Sequence, residues 1–352
     1  MFKVDPIDRQ TIDGWPIAES GLPTRVVNGT REAGILFVGD LRGKTDDYLL
    51  QLRAVGRISV QDIRNFFDIC KQIESGQLIF ITIQQLLNLF LDKEEMTVLS
   101  GRYGLLREDA DASRNYMTLQ EIGNSMQLTR ERIRQVEHSA QQKLHSRLAS
   151  ACLQPFYLYI RQFINSRQQA VDYPELHDLS GQSWLTGYNP CSIAMLMADL
   201  APEKLVSYSR FFSNISLDSV KKLEQQAVSV LRQSPGPLGL DEIVAQVHSP
   251  STSLPDSVLR KHVRVILDHY PHAAPTADHR YFLYPEGAGF FLVEVMRSLS
   301  LPCGYRGIAN AFNARLKPRA RKGAGYILKL LNEHPSCVRV DRGRYTIRES
   351  DR

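Results

Sequence analysis

The chain has 352 residues, 43% of them hydrophobic, which is enough for about two to four small domains with buried cores. It has no run of about eighteen apolar residues and no amino-terminal signal pattern, so we expect a soluble protein that is not secreted. Five scattered cysteines without zinc spacing predict reduced thiols in a cytoplasmic protein, and a net charge of +5 says little about partners.

The amino-terminal segment is expected to begin irregularly and then to become helical. Residues 1–17 are polar and contain Pro6 and Pro16, which favours an irregular lead-in. A compact helical unit is predicted over residues 22–67. Its expected core includes three apolar side chains: Ile35, Phe37 and Leu41.

A helix-hairpin-helix is predicted in the second half of this unit. Thr45 is placed to cap a helix that begins at Asp46, where acidic side chains suit the helix dipole. A tight turn over residues 54–57 follows, and Ser59 is expected to cap the next helix. Gly56 in that turn would let a phosphate approach free N–H groups, although an ordinary turn glycine would look the same.

Residues 22–67 resemble the carboxyl-terminal domain of the bacterial RNA polymerase alpha subunit. In that family, a helix start and a helix-hairpin-helix bind the minor groove upstream of the promoter −35 element. An arginine at such a site inserts into a narrow minor groove and favours A/T-rich DNA. Ile58 replaces the usual lysine of the family, which weakens the expected phosphate contact. The resemblance implies DNA contacts at four positions: Arg25, Asn28, Gly56 and Ser59. Arg57 is a further predicted contact, which would partly compensate for the missing lysine.

An apolar helix over residues 77–91 is expected to lead rigidly into a second helical pair. Thr118 and Glu121 have the spacing of a capping box, and Thr129 is placed to cap the second helix. Apolar residues of that helix recur every three or four positions and must face a core: Ile133, Val136, Ala140 and Leu144. The positions left at its start point outward: Arg130, Glu131, Arg134 and Gln135. This is a helix-turn-helix suited to reading base edges, although two packed amphipathic helices have the same periodicity.

The run TLQEIGNSMQLTRERIRQVEHSAQQKL and the preceding EEMTVLSGRYGL resemble the fourth region of housekeeping sigma-seventy-type sigma factors, over about residues 91–148. In that family, the module reads the −35 element and binds the flap of the polymerase beta subunit. The resemblance implies that Arg130, Glu131 and Gln135 read bases. It also implies that Arg102 and Arg134 meet phosphates or neighbouring proteins. We do not expect a complete sigma factor, because no aromatic-rich region for promoter melting precedes this module.

The remaining sequence is predicted to form a connector and two further modules. Residues 149–216 carry no recognisable motif and are interpreted as a helical connector. Three helices followed by a β-hairpin are then predicted twice, which describes two winged helices in tandem. The first has few basic residues on its long helix and is a candidate for docking a protein.

The last of these modules is strongly basic. Residues 289–352 contain 13 Lys+Arg and 5 Asp+Glu, a net charge of +8, so the other residues together carry −3. Clustered positive charge is typical of a nucleic-acid-binding surface, although a solvated basic face has the same composition. Seven basic residues lie before the third helix or at the hairpin tip: Arg315, Lys317, Arg319, Arg321, Lys322, Arg342 and Arg344. Of these, Arg319, Arg321, Lys322, Arg342 and Arg344 are the predicted DNA contacts.

The sequence therefore predicts a mainly α, multi-domain protein with small β-hairpins. Its predicted domains are listed by residue range: 1–78 (alpha-like helix-hairpin-helix), 79–148 (sigma-like helix-turn-helix), 149–216 (connector), 217–286 (winged helix) and 287–352 (basic winged helix).

The predicted function is sequence-specific binding of double-stranded DNA by a bacterial transcription regulator associated with the nucleoid. RNA polymerase is a candidate partner, through its beta flap and alpha subunit. One alternative is the DNA-recognition subunit of a larger defence or mobile-element complex, and another is a DNA repair enzyme. Repair chemistry needs converging carboxylates, a metal site or an activated nucleophile, and no such motif is found. We therefore predict no catalytic residue, metal or cofactor, and interpret His138 and His145 as surface residues.

Overall fold

The computed structural model describes residues 1–106, 117–247 and 254–348. The protein divides into two compact units, of which the first comprises residues 1–163 and 172–207 and the second residues 164–171 and 208–352. In the described ranges, no helix is both long enough and apolar enough to cross a membrane.

The first unit opens with a short strand and a series of helices that build the predicted helix-hairpin-helix. Strand β1 (Phe2–Lys3) pairs antiparallel with β2 (Ile79–Phe80), which follows the last of these helices. Thr45 caps α5 (Asp46–Leu50) as predicted, because its side chain accepts a hydrogen bond from the Tyr48 N–H. The elements are β1 (Phe2–Lys3), α1 (Arg9–Asp13), α2 (Ile17–Ser20), α3 (Thr24–Glu32), α4 (Val38–Leu41), α5 (Asp46–Leu50), α6 (Arg57–Glu74) and β2 (Ile79–Phe80).

The irregular lead-in predicted for residues 1–17 was wrong. Asp8 caps α1 through a hydrogen bond from the Thr11 N–H, and β1 forms part of a small sheet. Ile12 and Trp15 are buried, so this segment contributes to the core. Because the segment is mostly polar, its sequence did not indicate that Ile12 and Trp15 would be buried.

Two details of the helix-hairpin-helix also differ from the prediction. Ile35 and Leu41 are buried as expected, but Phe37 is 47% exposed. The backbone of Phe37 is bridged to Pro16 just before α4, so the next residue, Val38, takes the buried position. Ser59 does not cap α6, because that helix begins at Arg57 and leaves Ser59 buried in its first turn.

The helix predicted over residues 77–91 is shorter and starts later. Strand β2 forms near the start of the predicted range. Helix α7 (Ile83–Phe90) begins after it, at a capping box made by Thr82 and Gln85. This box shifts the helix start, because Thr82 satisfies the N–H of Gln85 only when the helix begins after it.

The helix-turn-helix has the predicted form. Thr118 and Glu121 make the capping box of its first helix, and Thr129 caps the second. Gly123 allows the tight approach between them, because a Cβ there would lie 2.7 Å from the Leu128 carbonyl oxygen. Its elements are α8 (Lys93–Tyr103), α9 (Leu119–Met126) and α10 (Arg130–Leu144). They share a small core: Val98, Ile122, Ile133 and Val136.

The predicted helical connector contains short strands as well as helices. Trp184 is buried, as expected from its apolar surroundings. The elements after α10 are α11 (Arg147–Asn165), β3 (Ala170–Asp172), α12 (Tyr173–Leu176), α13 (Pro190–Leu200), β4 (Val206–Tyr208) and β5 (Phe211–Ser213).

The second unit contains the same topology twice, which confirms the two predicted winged helices. In each, a helix, a strand, two helices and a hairpin follow one another, and the first strand pairs with the last. The first has α14 (Leu217–Gln233), β6 (Leu238–Gly239), α15 (Leu240–Val247), α16 (Asp256–His269), β7 (Ala273–Pro275) and β8 (Arg280–Leu283). The second has α17 (Ala288–Arg297), β9 (Cys303–Gly304), α18 (Tyr305–Ala314), α19 (Ala324–Glu333), β10 (Cys337–Asp341) and β11 (Arg344–Ile347).

The hairpin of the first winged helix packs into the core of the second. Phe282 of β8 stacks on Phe291 of α17, with ring centroids 4.9 Å apart. The Tyr284 hydroxyl donates a hydrogen bond to the Ala320 carbonyl oxygen at 2.9 Å. Part of the first hairpin thus belongs to the core of the second winged helix, while the first winged helix also has a core of its own. The domain boundary predicted at 286/287 stays a prediction.

Candidate nucleic-acid interface

The start of α10 presents the four residues predicted to face a major groove. Arg130, Glu131, Arg134 and Gln135 are all exposed, because the neighbouring Ile133 and Val136 turn inward. The Arg134 guanidinium binds both carboxylate oxygens of Glu131, at 2.9 and 2.7 Å. This hydrogen bonding lowers the pKa of Glu131 and raises the pKa of Arg134. The helix start thus offers both donors and an acceptor in one small area.

The helix α10 is fastened to α8 by a buried carboxylate that the sequence analysis missed. Glu95 is 4% exposed and accepts hydrogen bonds from the Ser139 hydroxyl at 2.8 Å and the Lys143 ammonium at 2.6 Å. Its second oxygen also accepts the Asp92 N–H, which completes a capping box. The Asp92-to-Glu95 spacing was the available signal, but it could not reveal the partners on α10.

Arg102 also holds the helix-turn-helix together. Its guanidinium donates to the Glu137 carboxylate at 2.7 Å and to the Met117 carbonyl oxygen at 2.9 Å. The side chain is about one-third exposed. The phosphate contact predicted for Arg102 stays a prediction, and the structure gives this residue a positioning role.

The residues predicted to grip a minor groove lie on α3 and at the start of α6. The Arg25 guanidinium is 2.7 Å from the Asp62 carboxylate of α6, and Asn28 is exposed one turn later. Because the Arg25 pair is open to solvent, it is held weakly, and exchanging it for a phosphate costs little.

The hairpin before α6 is accessible at only some of the predicted positions. Arg57 is exposed, and none of the residues that the structure describes lies within 4 Å of the Cβ position of Gly56, so a ligand can approach that backbone. The Ser59 side chain is 2% exposed and faces the core. Its hydroxyl is thus out of reach of a ligand in this structure, and the DNA contact predicted for Ser59 stays a prediction.

The basic cluster before α19 is divided between internal contacts and the surface. The Arg319 guanidinium donates to the Leu267 carbonyl oxygen at 2.8 Å, and burial lowers the pKa of Arg319. The Lys317 ammonium lies 3.5 Å from the Asp268 carboxylate. Both side chains therefore face α16 of the first winged helix.

Other members of the cluster remain available at the surface. Arg321 is exposed, whereas the ammonium of Lys322 lies 4.4 Å from the centroid of the Tyr284 ring. At the hairpin tip, Arg342 is exposed, and Arg344 donates to the Pro302 carbonyl oxygen at 3.0 Å. A phosphate strand could meet this face through Arg321 and Arg342 without breaking an internal contact.

The long helix of the first winged helix has a different character. Eight of the 14 residues of α16 are buried, including Lys261 and His262. His262 lies 2.8 Å from the Val258 carbonyl oxygen and 2.8 Å from the Ser213 hydroxyl. Burial lowers the pKa of His262. Most side chains of α16 therefore pack in the core, and few are exposed.

No grouping of His, Cys, Asp and Glu suited to a metal ion occurs among the residues that the structure describes. The five cysteines are free thiols. Burial raises the pKa of Cys70, Cys152 and Cys191 to about 12, so these thiols stay protonated and act as core residues.

Two family models match parts of the sequence. Residues 91–146 match sigma-70, region 4, and residues 7–68 match the C-terminal domain of the bacterial RNA polymerase alpha subunit. Both resemblances inferred from the sequence are confirmed. The alpha match starts before the predicted residue 22, in agreement with the buried anchors of the amino-terminal segment. We call residues 7–68 the alpha-like module and residues 91–146 the sigma-like module.

Two curated relatives are RNA polymerase sigma factors named RpoD, from Helicobacter pylori strains 26695 and J99. Each is 45% identical to this protein over 56 residues, which cover 16% of its sequence and 8% of the sigma factor. The match therefore spans under a tenth of the length of these relatives. No solved structure matches this protein. Both modules are thus related to parts of the bacterial transcription apparatus.

Proposed function

We propose that this protein is a bacterial transcription regulator that binds promoter-like duplex DNA and engages RNA polymerase. The observation that carries the proposal is the combination of the alpha-like and sigma-like modules in one polypeptide. Such a protein would act in the cytoplasm, associated with the nucleoid. It would lack catalytic activity of its own, and neither matched model describes an enzyme family.

The sigma-like module would supply sequence choice. Arg130, Arg134 and Gln135 stand on the exposed start of α10, where side chains of a recognition helix reach base edges in the major groove. Glu131 would accept a hydrogen bond from a cytosine amino group, a role favoured by its lowered pKa. The same module would contact the beta flap of the polymerase.

The alpha-like module would add a minor-groove contact. Arg25 and Asn28 lie one turn apart on α3, and the open backbone at Gly56 and Arg57 lies at the start of α6. Arginine in a narrow minor groove favours A/T-rich sequence. This module would also contact the alpha subunit of the polymerase.

The second winged helix would strengthen binding without adding sequence choice. Arg321, Lys322, Arg342 and Arg344 offer positive charge close to α19 and the hairpin. Contacts of such residues with phosphates add affinity on every sequence. The first winged helix would not read DNA, because the strands of its hairpin and most of α16 are buried.

The decisive experiment separates polymerase binding from DNA binding. The full-length protein is immobilised, incubated with purified bacterial RNA polymerase in the presence of nuclease, and washed. Capture of the polymerase supports the proposed regulator. Failure to capture it, together with a gel shift on duplex DNA, would instead identify a DNA-recognition subunit of another complex.

The double variant Arg130→Ala/Gln135→Ala serves as the matched control. It should lose sequence choice on duplex DNA and still capture the polymerase, because its changes are confined to the start of α10. A wild-type protein that neither shifts duplex DNA nor captures polymerase would refute the proposed function.

A further inference from the structure

The alpha-like and sigma-like modules are packed directly against each other within the first unit. Gly21, between α2 and α3, has a φ of +102°, and a Cβ there would lie 2.7 Å from the Ser146 hydroxyl oxygen. Ser146 follows α10 and is buried. Beside this contact, the Arg147 guanidinium lies 2.7 Å from the Glu19 carboxylate. The Gly21 backbone therefore lies directly against Ser146, and no spacer separates the modules at this point.

The segments that flank the alpha-like module in the sequence are also fixed. Strand β1 pairs with β2, which leads directly into α7. Phe2 of β1 stacks on Phe156 of α11, with ring centroids 4.2 Å apart, and packs edge-on against Trp184. Contacts at both ends prevent the alpha-like module from rotating relative to α10, because close-packed interiors resist deformation.

A cleft of about 710 Å³ lies between α3 and the second half of α10. Asn28 and Arg31 of α3 line one side, and His138, Gln142 and His145 line the other, along the second half of α10 and its carboxyl-terminal cap. The cleft therefore offers hydrogen-bonding groups from both modules, together with the positive charge of Arg31.

This cleft continues the surface that is proposed to read DNA. Arg134, His138, Gln142 and His145 are spaced four, four and three residues apart, which places them on one face of α10 and its carboxyl-terminal cap. The base-reading end of the helix thus leads along one face into the cleft.

On the opposite side of the cleft, α3 also presents polar side chains. Asn28 and Arg31 are spaced three residues apart and line the cleft, whereas Arg25 pairs with Asp62 of α6 and lies outside the lining. The carboxylate of Glu19 in the lining is paired with Arg147, which reduces its repulsion of an anion.

We propose that one DNA duplex binds across both modules, with a sugar-phosphate strand lying over the cleft. A single sugar-phosphate strand separates a minor groove from the neighbouring major groove. With α3 in the minor groove and α10 in the major groove, that strand would pass between the two helices. The inference rests on the proposed DNA binding and adds to it a fixed target geometry. The target has two sequence elements at one invariant spacing, because the modules are rigidly joined.

Selection from a library of random duplexes with the full-length protein tests this geometry. The expected outcome is enrichment of two elements at a single spacing. Inserting 5 bp between them should lower affinity more than tenfold, and so should inserting about 10 bp, a full helical turn. Rigid modules cannot follow elements that move apart, even when the elements keep the same helical phase.

The possible failures are distinguishable. Enrichment of the two elements at variable spacing, or recovery of affinity with the insertion of about 10 bp, would overturn the rigid composite surface. Those results would leave the proposed DNA binding intact. Enrichment of no duplex would refute the proposed DNA binding itself.

Substitution in the cleft gives a second, independent readout. Arg31→Ala should weaken binding to all duplexes that contain both elements, and should lower the slope of log affinity against log salt by up to about 0.9. Lys71→Ala is the matched control, because Lys71 also lies in the last turn of its helix but outside the cleft. Thermal unfolding of both variants checks that they fold. Equal salt slopes for the two variants would contradict the placement of phosphate in the cleft.

Discussion

The Arg319 guanidinium donates a hydrogen bond to the Leu267 carbonyl oxygen at 2.8 Å, and so joins the second winged helix to α16 of the first. The same guanidinium lies 3.8 Å from the Asp268 carboxylate, which the Lys317 ammonium also approaches, at 3.5 Å. A residue whose charge suggested phosphate binding is thus placed where it holds two modules together. Charge alone could not distinguish these roles.

The first prediction concerns the stability of the second unit. Arg319→Ala should lower the free energy of unfolding by about 1.5–3 kcal/mol, because it removes a charged hydrogen bond and leaves the Leu267 carbonyl unpaired. Arg321→Ala, two residues away and exposed, should change it by less than about 0.5 kcal/mol. Urea unfolding of both variants measures the difference. Equal stability of the two variants would show that the contact contributes nothing.

The second prediction concerns the salt dependence of DNA binding. The double variant Arg321→Ala/Arg342→Ala should bind every duplex more weakly, and should lower the salt slope by up to about 1.8. Fluorescence anisotropy over a range of salt concentrations measures this slope. Lys221→Ala/Lys222→Ala, on exposed positions of α14, removes the same charge elsewhere in the unit. The assignment of phosphate contact to the second winged helix fails if both double variants give the same slope.

The third prediction concerns base reading by α10. Gln135→Ala should reduce discrimination at one base pair by about 1–3 kcal/mol, and leave other positions of the site unchanged. Arg132→Ala is the control on the same helix, since Arg132 turns toward α8 and pairs with Glu94 at 3.1 Å. Competition binding with single-base variants of the selected site gives the comparison. A uniform loss on every sequence would mean that Gln135 does not read a base.

The fourth prediction concerns the pH dependence of stability. Burial, with a smaller contribution from the charge of Lys261, lowers the pKa of His262 below its ordinary value of 6.5. The folded state therefore prefers the neutral ring of His262. The contribution of this preference to the free energy of unfolding is fully present above pH 6.5 and is lost as the pH falls below that value, because the unfolded state then takes up a proton. Between pH 8 and pH 5.5, this loss should reach up to about 1.4 kcal/mol.

The variant His262→Gln tests the assignment of this pH dependence. Its side chain does not take up a proton in this range, so the free energy of unfolding of the variant should fall less between pH 8 and pH 5.5. Urea unfolding at the two values gives both curves. Parallel losses for wild type and variant would assign the effect to other groups.

Local patterns predicted much of the fold correctly. Caps such as Thr118 with Glu121, and Thr129, fix helix starts through neighbouring atoms, so they can be read directly from the sequence. The three- and four-residue spacing of apolar positions likewise placed Ile133 and Val136 in the core. Errors arose where tertiary contacts overrode local preference, as at Phe37 and Ser59.

The candidate nucleic-acid interface was likewise predicted in part from the sequence and in part shown only by the structure. The sequence determined which residues of α10 point outward, because helical periodicity and a buried face leave one choice. Only the tertiary structure showed that Glu95 fastens this helix, that Arg319 is used internally, and that Gly21 meets Ser146. These relations join residues far apart in the sequence, and their geometry depends on how the modules pack. Helical periodicity and capping patterns involve only neighbouring residues, so they cannot predict how the modules pack.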